Sequence, residues 1–297
     1  MPASPSAPST IRSAPHLATL LVSCADRKGI VAALAQVLYG HGANILDADQ
    51  HTDTHAGQFF QRIRFDQTDM HTDRVAIEGA LAEVALRLGL TYRLEYAERL
   101  KNVALFVSHS AHCLHDLLSR HRLGELACSV RLVIANHPDL EDIAKQFGVP
   151  FHVIPVPPGE KARAEAEQLA LVQSHEIDLI VFARYMQIVS ADFIGRYRSR
   201  IINIHHSFLP AFVGQKPYHQ AHDRGVKLIG ATAHYVTADL DEGPIIEQDV
   251  APISHRDEVD DLIRKGRDLE RIVLARAVRL HLEDRILVYG NKTVVFD

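Results

Sequence analysis

Five short apolar runs, with helical stretches between them, constrain the fold of this 297-residue chain more than any other feature. The runs occupy residues 103–107, 130–135, 151–154, 179–182 and 201–204. Residues 160–174 are an example of the helical stretches that separate them. Apolar strands that alternate with helices are typical of parallel sheets covered on both faces. We therefore predict an α/β fold over residues 102–297, with a doubly wound, mostly parallel sheet.

Further elements are predicted after these five strands. Two β-prone runs lie at residues 229–236 and 244–250, and two short strands are expected at 286–289 and 293–296. Between them, residues 257–282 carry apolar side chains at helical spacing, which predicts one long helix. Its apolar stripe comprises Val259, Leu262, Ile263, Leu269, Ile272, Val273 and Leu280.

The preceding block, residues 16–98, has a different order of elements. Its predicted strands cover residues 17–23, 44–52, 58–66 and 91–96, and its predicted helices cover 29–40 and 72–88. This βαββαβ order predicts a ferredoxin-like fold, with two helices on one face of an antiparallel sheet. Asp26 is the expected cap of the first helix. In the third strand, the side with Arg62 and Arg64 is expected to face solvent.

Composition narrows the class of protein and its compartment. A net charge of −5 offers no basic field for nucleic acid, and no apolar run reaches the ~18 residues that a membrane span needs. Three widely spaced cysteines, Cys24, Cys113 and Cys128, argue against a disulfide framework and predict a cytoplasmic location. Residues 1–15 lack the apolar core of a signal peptide and are expected to be a disordered lead-in.

A polar segment follows the strand at residues 201–204, where an open parallel sheet binds its ligands. Asn203 and His205 are two residues apart, so they project from the same side of a strand. An amide can donate to an oxyanion, and an imidazole can move a proton near neutral pH. This pair therefore predicts chemistry on a carbonyl group. The neighbouring His206 is either part of that site or a packing residue.

A second polar cluster, residues 237–244, comes directly after the strand that contains His234. By itself, this acidic segment is typical of a surface turn. Its interest comes from its combination with the histidine segment. His234 is either a wall of the pocket or a structural histidine.

Together, these two segments resemble the formyltransferase family that uses 10-formyltetrahydrofolate. The family pattern is Asn-x-His followed, some tens of residues later, by Leu-Asp-x-Gly-Pro. Here the pattern comprises Asn203, Ile204, His205, Leu240, Asp241, Glu242, Gly243 and Pro244. Residues 183–189 resemble the family's hydrophobic folate pocket. The resemblance covers residues 102–297 and implies a substrate-binding set of Arg184, Tyr185, Met186, Gln187, Ile188, Val189, His206, Ser207, His234 and Thr237.

The first block resembles an ACT domain, a small regulatory ligand-binding fold, through residues 26–30 and 42–45. An ACT domain ahead of a formyltransferase-like domain is the arrangement of the formyltetrahydrofolate deformylase family. Residues 205–210, 229–235 and 242–248 are similar to that family as well. Relatives that transfer the formyl group to an amine usually have Pro in place of His206. Gln215 is a departure, because a small residue is expected there.

The resemblance implies hydrolysis of 10-formyltetrahydrofolate to formate and tetrahydrofolate, in one-carbon and purine metabolism. Water attacks the formyl carbon, and Asn203 donates a hydrogen bond to the oxyanion. His205 shares that stabilisation and the proton transfer. Asp241 orients the water or the imidazole and helps to carry the proton to the folate nitrogen. The activated formyl group is already electrophilic, so no metal and no cofactor beyond the folate is expected.

The formyl acceptor separates the alternatives. Relatives that formylate a phosphorylated amine hold its phosphate in a glycine-containing loop after the first strand. Residues 108–113, at that place, contain no glycine, which favours water as the acceptor. A formyltransferase for a small amine and a non-catalytic folate or amino-acid sensor remain the alternatives. A metal site at His109, His112, Cys113 and His115 is not predicted, because nothing downstream completes the ligand set.

Regulation is implied by the ACT resemblance. Such domains usually pair with a copy from another subunit and bind an amino acid at the interface. Methionine and glycine are the candidate effectors, and Asp26, Gly29 and Asn44 are the candidate positions. A homodimer or homotetramer is expected, with no nucleic-acid partner and no membrane partner.

Overall fold

A computed structural model of the chain describes residues 16–210 and 217–296. The contacts within the chain divide it into two compact units. One comprises residues 16–100, 284–289 and 294–296, and the other comprises residues 101–283 and 290–293. Two subjects of the sequence analysis, the lead-in 1–15 and Gln215, lie outside the described residues.

The first unit is a four-stranded antiparallel sheet with two helices. The strand order is β2-β3-β1-β4. A core of Leu20, Leu34, Leu38, Ile77 and Leu81 lies between the helices and the sheet. The predicted ferredoxin-like βαββαβ fold is confirmed. Its elements are β1 (Leu17–Ala25), α1 (Ile30–Gly40), β2 (Asn44–Asp53), β3 (Gln58–Asp66), α2 (Arg74–Leu88) and β4 (Thr91–Tyr96).

The start of α1 differs from the prediction. Its N-cap residue is Gly29, with φ of 93° and no side-chain hydrogen bond at the cap. Asp26, the predicted cap, lies in the exposed turn before it, and its backbone N–H donates to the carbonyl of Gly57 at 2.8 Å. Glycine adopts this left-handed conformation with little strain. The backbone of Gly29, rather than the side chain of Asp26, therefore opens the helix.

The second unit is built around a seven-stranded sheet. Its strand order is β11-β10-β9-β8-β5-β6-β7, in which β5 to β9 pair in parallel while β10 and β11 are antiparallel. The predicted doubly wound, mostly parallel sheet is confirmed. Its elements are β5 (Lys101–Val107), α3 (His112–Leu123), β6 (Cys128–Ala135), α4 (Glu141–Gln146), β7 (Phe151–Val153), α5 (Lys161–Ser174), β8 (Leu179–Phe182), α6 (Ala191–Arg196), β9 (Ile201–His205), α7 (Pro217–Arg224), β10 (Leu228–Tyr235), β11 (Ile245–Pro252) and α8 (Val259–Leu282).

The strand order reverses between β5 and β8. From β5 the chain continues to β6 and β7 on one side, and then returns to β8 and β9 on the other. Loops that leave the carboxyl ends of strands at such a point diverge and form a crevice, where open parallel sheets bind ligands. The fold thus places the loops after β5, β8 and β9 at one edge of the sheet.

The long helix α8 packs along this sheet and buries Leu262, Leu269 and Val273, as its apolar stripe predicted. Ile272 was assigned to the same stripe, but 38% of it is exposed. Glu270 takes the buried place instead, with 1% exposed. Among the residues that the structure describes, no helix combines the length and apolar character needed to cross a bilayer.

The face of β3 that was expected to be solvated is buried at Phe60 and Arg62, whereas Arg64 is exposed as predicted. The last strands of the chain, β12 (Ile286–Tyr289) and β13 (Lys292–Val295), form a separate two-stranded sheet. Val294 and Phe296 pack against Leu21 and Phe60. Arg62 is 4% exposed, because its guanidinium donates to the carbonyl of Asp284 and to the Asp47 carboxylate, both at 2.9 Å.

This covered face predicts a large effect at Phe60. The side chain is fully buried, and its ring centroid lies 4.5 Å from that of Tyr289. Phe60→Ala is expected to lower the free energy of unfolding by about 3–5 kcal/mol, because it leaves a cavity. Urea unfolding measures the change, with Val75→Ala on an exposed helix position as the control. A loss below about 1 kcal/mol, as surface positions show, would mean that the face is solvated.

Candidate active site

A cavity of about 350 Å³ opens at the carboxyl ends of β8 and β9. Its walls come from these two strand ends, the loop after β8, and the end of β10 with the turn that follows. Twelve of the residues predicted for the site line it together: Arg184, Tyr185, Met186, Gln187, Ile188, Val189, Asn203, His205, His206, His234, Thr237 and Asp241. The strand register explains the convergence, since His234 of β10 stands opposite Asn203 of β9.

Asp241 joins two histidines from different strands. One carboxylate oxygen lies 3.2 Å from Nδ1 of His205, and the other lies 3.6 Å from Nε2 of His234. Burial by itself raises the pKa of Asp241, but the hydrogen bond from His205 and the nearby imidazole of His234 outweigh it and hold the pKa well below its ordinary value. The carboxylate is therefore ionised at neutral pH and can only accept hydrogen bonds.

The protonation of His205 follows from this partner. Because Asp241 accepts, Nδ1 of His205 carries the proton in the neutral ring. The other nitrogen, Nε2, is buried and has no hydrogen-bond partner within the described part of the chain. A carboxylate that holds Nδ1–H leaves Nε2 as a base of fixed orientation, the arrangement used in general acid–base catalysis.

His234 orients Asn203 in a similar way. Its Nδ1 lies 3.0 Å from the backbone carbonyl of Tyr235, which can only accept, so Nδ1 carries the proton. Its Nε2 then accepts from the side-chain amide of Asn203 at 3.2 Å. This hydrogen bond uses one of the two amide hydrogens of Asn203 and leaves the other for a ligand oxygen in the cavity. His234 therefore lines the cavity and also orients another residue of the site.

The turn that carries Asp241 is tightly constrained. Asp241 has φ of 58°, a left-handed conformation that Asp and Asn adopt more readily than most residues. Two residues later, a β-carbon on Gly243 would lie 1.7 Å from the carbonyl oxygen of Tyr235. Only glycine lets this turn approach β10 so closely.

Gly243→Ala is therefore expected to displace the turn. We expect a loss of stability of about 1–3 kcal/mol, as overpacking causes, and a fall in turnover of about 10²-fold as Asp241 moves away. Thermal unfolding and steady-state kinetics measure the two effects. Gly195→Ala in α6 is the matched control, because a β-carbon there meets nothing within 4 Å. Wild-type turnover in Gly243→Ala would contradict the assigned constraint.

The loop after β8 divides between core and cavity. Tyr185 is buried in the core, its hydroxyl accepts from the amide of Gln168 at 2.9 Å, and burial raises its pKa to about 12. Met186 and Ile188 are 61% and 63% exposed. The backbone N–H of Met186 donates to the Ser108 hydroxyl at 2.9 Å. The exposed apolar side chains suit a flat, partly apolar ligand, while Tyr185 supports the loop from below.

The residues after His205 have different roles. Ser207 is buried but is absent from the cavity wall, and its carbonyl accepts from the hydroxyl of Thr232 at 2.9 Å. The same hydroxyl accepts from the backbone N–H of Leu209 at 3.1 Å. Thr232 thus holds the start of this loop. Thr237 lines the cavity, and its hydroxyl donates to the carbonyl of Asp239.

His206 lies next to His205, and their ring centroids are 5.1 Å apart. Burial lowers the pKa of His206 from 6.5 to about 4, and the nearby Arg184 guanidinium lowers it further. His206 is therefore neutral at pH 7. His206, which was predicted to be either a packing residue or part of the site, is a half-buried neutral imidazole in the cavity wall.

This shift predicts the pH dependence of stability. Between pH 6.5 and 4, His206 binds a proton in the unfolded chain but not in the folded one, so its contribution to stability is lost as the pH falls. The loss is at most roughly 3 kcal/mol. His206→Asn is expected to unfold with a flatter pH dependence over this range in urea titrations. Exposed His219→Asn serves as the control, and equal slopes for wild type and His206→Asn would contradict the assignment.

Glu270 was not predicted from the sequence. Its carboxylate accepts from Nε2 of His112 at 2.8 Å and from the hydroxyl of Tyr218 at 2.7 Å, and Nε of Arg184 lies at 3.5 Å. Burial raises the pKa of Glu270, but the hydrogen bond from His112 and the charge of Arg184 produce a net lowering. A glutamate inside a long amphipathic helix carries no local signal that separates it from a solvated one.

The histidines around α3 do not converge. His109 stacks on His137 and bonds to Asp139, while His115 packs edge-on against Phe147. Ligand atoms of His112, Cys113 and Glu270 do lie within 4.8 Å of one another. Burial raises the pKa of Cys113 far above its ordinary value. Glu270 already accepts hydrogen bonds from His112 and Tyr218.

In the first unit, the positions considered for an effector are exposed. Asp26 and Gly29 lie in the turn before α1, and Asn44 begins β2. β2 is an edge strand of ten residues that pairs with β3 alone among the described strands. The first strand–helix turn and an unpaired strand edge therefore lie in solvent.

Two family models match the chain, and each match falls within one of the two units. Residues 101–278 match the family model described as formyl transferase, and residues 18–74 match the one described as ACT domain. The chain is thus an ACT domain joined to a catalytic domain of the formyltransferase class.

Relatives of nearly full length specify the family. The chain is 56% identical to a formyltetrahydrofolate deformylase from Synechocystis sp., over 94% of this chain and 98% of that one. The solved structure of a formyltetrahydrofolate deformylase from Pseudomonas syringae pv. tomato is 47% identical with a TM-score of 0.92, over 95% of this chain and 94% of that one. The chain belongs to the formyltetrahydrofolate deformylase family.

A transferase also shares the catalytic fold. Glycinamide ribonucleotide transformylase 1 from Symbiobacterium toebii is 32% identical with a TM-score of 0.64. The match covers 67% of this chain and 95% of the transformylase chain. The catalytic fold is therefore common to both kinds of enzyme.

Proposed function

We propose that this enzyme hydrolyses 10-formyltetrahydrofolate to formate and tetrahydrofolate. The observation that carries the proposal is the His205–Asp241–His234 arrangement beside Asn203. It supplies an oriented base, an ionised carboxylate and an amide donor in one cavity. The near-complete coverage of deformylase relatives, with the ACT domain included, supports the same conclusion.

In the proposed mechanism, the formyl carbon lies between His205 and Asn203. Nε2 of His205 takes a proton from the attacking water, while Asp241 stabilises the imidazolium that forms. The free amide hydrogen of Asn203 donates to the oxyanion. The proton then passes to the departing folate nitrogen as the carbon–nitrogen bond breaks. These groups provide acid–base and oxyanion chemistry, so the proposed mechanism needs no metal and no cofactor beyond the folate.

A folate pocket is proposed on the apolar side of the cavity. Met186, Ile188 and Val189 would contact the ring system of the folate, and Gln187 and Thr237 offer hydrogen-bonding groups at its edge. His206, His234 and Arg184 complete the wall nearer to Asn203 and His205.

A product balance tests the proposed function. Purified protein with 10-formyltetrahydrofolate and no amine should yield one formate for each tetrahydrofolate. Addition of a primary amine, such as a glycinamide derivative, should leave this ratio unchanged. Formylated amine at the expense of formate would indicate a transferase for a small amine. Tight folate binding with no product of either kind would indicate a sensor.

Amino-acid regulation is proposed for the first unit. Methionine and glycine are the candidate effectors, Asp26, Gly29 and Asn44 the candidate contacts, and the exposed edge of β2 suits pairing with a second copy of the chain in a homodimer or homotetramer. Effector coupling of ~1–3 kcal/mol would change activity about 5- to 150-fold. Titration of the full chain with each amino acid tests this, and constant activity would reject both effectors. A cytoplasmic role in one-carbon and purine metabolism, without nucleic-acid or membrane partners, completes the proposal.

A further inference from the structure

Arg184 has an unusual backbone at the mouth of the active site. Its φ of 66° lies in the left-handed region, where a non-glycine residue is strained unless its surroundings hold it. It comes two residues after Phe182, which pairs with Asn203 in the parallel ladder of β8 and β9. Arg184 therefore leaves β8 at the level where His205 stands on β9. The strain is located beside the reacting groups.

A buried carboxylate holds the guanidinium of Arg184 in place. Glu270 of α8 lies 3.5 Å from its Nε. Glu270 itself is fixed from two other sides, because His112 and Tyr218 each donate a hydrogen bond to it. Arg184 is thus not needed to satisfy Glu270, and Glu270 orients Arg184.

A terminal donor of Arg184 is left for a ligand. Its Nε faces Glu270 at 3.5 Å, while one terminal nitrogen is buried and has no hydrogen-bond partner among the described residues. Of the described residues in the cavity wall, Arg184 is the one arginine or lysine, and Asp241 is the one carboxylate. Buried guanidinium donors in native proteins rarely lack a hydrogen-bond partner, so an acceptor from outside the chain is expected here.

The chemistry of hydrolysis provides such an acceptor. Water forms a new bond to the formyl carbon, the carbon–nitrogen bond breaks, and the folate nitrogen takes one of the water protons. The second proton leaves, so the product is the formate anion. This anion forms in a cavity that already holds the ionised Asp241. Transfer to an amine would give a neutral amide, and no cation would be needed.

We propose that Arg184, held by Glu270, binds the carboxylate of nascent formate, and that this pair adapts the site to water as the acceptor. The guanidinium presents a planar pair of donors that matches a carboxylate. Glu270 acts as a positioning residue through Arg184. This inference rests on the proposed function, because formate is a product of hydrolysis alone.

Binding of ¹³C-formate in the presence of saturating tetrahydrofolate tests the subsite. Titration followed by NMR gives the dissociation constant of formate for each variant. Arg184→Gln is expected to weaken formate binding roughly 10- to 100-fold, the range for the loss of charged hydrogen bonds. Arg184→Lys keeps the positive charge but lacks the planar pair of guanidinium donors. It should therefore weaken formate binding less than Arg184→Gln does. Glu270→Gln should weaken formate binding as well, because Arg184 is no longer held.

Kinetics and a matched control separate this role from a structural one. Arg184→Gln should lower kcat while the KM for the folate changes by less than about 2-fold, because Arg184 contacts the formate and not the folate. Arg196→Gln, an exposed arginine on α6, should leave formate binding and kcat unchanged. Arg184→Gly suits the left-handed backbone, so it tests the loss of the side chain in a folded protein.

The outcomes distinguish this inference from the proposed function. Formate release by wild type, with formate bound equally well by Arg184→Gln, would overturn the subsite and leave the hydrolase intact. If Arg184→Gln raised the KM for the folate and left kcat unchanged, Arg184 would be a folate contact. That result would also overturn the proposed formate subsite. No formate release by wild type would reject the proposed function itself.

Discussion

Asp241→Asn should lower turnover by about 10³- to 10⁴-fold, the effect of replacing a carboxylate that orients a catalytic imidazole. In the wild type, Asp241 accepts from Nδ1 of His205 at 3.2 Å, which leaves Nε2 as the base. An asparagine can offer an N–H to that nitrogen, which favours the wrong tautomer of the ring. It also removes the negative charge that stabilises the imidazolium. Single-turnover kinetics with saturating folate measure the chemical step directly.

Asp241→Asn is compatible with the backbone conformation at this position. Asn adopts left-handed φ values readily, so the φ of 58° at this position should be retained and the fold kept. Asp239→Asn is the matched control, because Asp239 is an exposed carboxylate in the same turn. It should retain turnover within about 2-fold, as surface substitutions do. Equal losses in both variants would mean that charge in the turn matters and the orientation of His205 does not.

His205→Ala is expected to lower turnover by about 10²- to 10⁴-fold, with a smaller effect on folate binding. The ring lines the cavity, and its Nε2 has no partner among the described residues, so its removal deletes the base without disturbing another hydrogen bond at that atom. It does leave Asp241 with one fewer donor. Pre-steady-state kinetics and folate binding by fluorescence separate the two effects. His219→Ala, an exposed histidine on α7, is the control.

The double variant tests whether His205 and Asp241 act as one unit. If Asp241 works through His205, then His205→Ala/Asp241→Asn should be no slower than the slower single variant, because residues of one catalytic unit are not additive. Multiplied effects would instead assign Asp241 an independent role, such as orienting the water. Near-normal turnover of His205→Ala alone would remove His205 from the mechanism.

Much of the fold was predictable because local patterns of apolar and polar residues specify its strands and helices. Buried strands read as short apolar runs, so β8 was predicted with its observed bounds, Leu179–Phe182. The strand alternation placed Asn203 and His205 on one side of β9. The resemblance to the formyltransferase family added Asp241 to this pair, because β10 is antiparallel to β9 and the rule for parallel strand ends does not place the turn that follows it.

The errors concern contacts between distant parts of the chain. Arg62 looked solvated in an alternating strand, but strands more than 200 residues later cover it. The periodicity of one strand cannot predict that a distant element packs on its polar side. Glu270 was missed for the same reason, since its partners come from three other elements. Left-handed backbone at Arg184 and Asp241 also escaped prediction, because tertiary contacts impose it on residues other than glycine.

Water is the attacking group in the proposed mechanism, and isotope transfer tests this most directly. Wild-type protein turns over 10-formyltetrahydrofolate in H₂¹⁸O without an amine, and the formate is analysed by mass spectrometry. The formate is expected to carry one ¹⁸O atom and to form in equal amounts with tetrahydrofolate. Asp241→Asn should produce it at least about 10³-fold more slowly. Formate production that does not depend on Asp241, or formyl transfer to an added amine with no labelled formate, would contradict it.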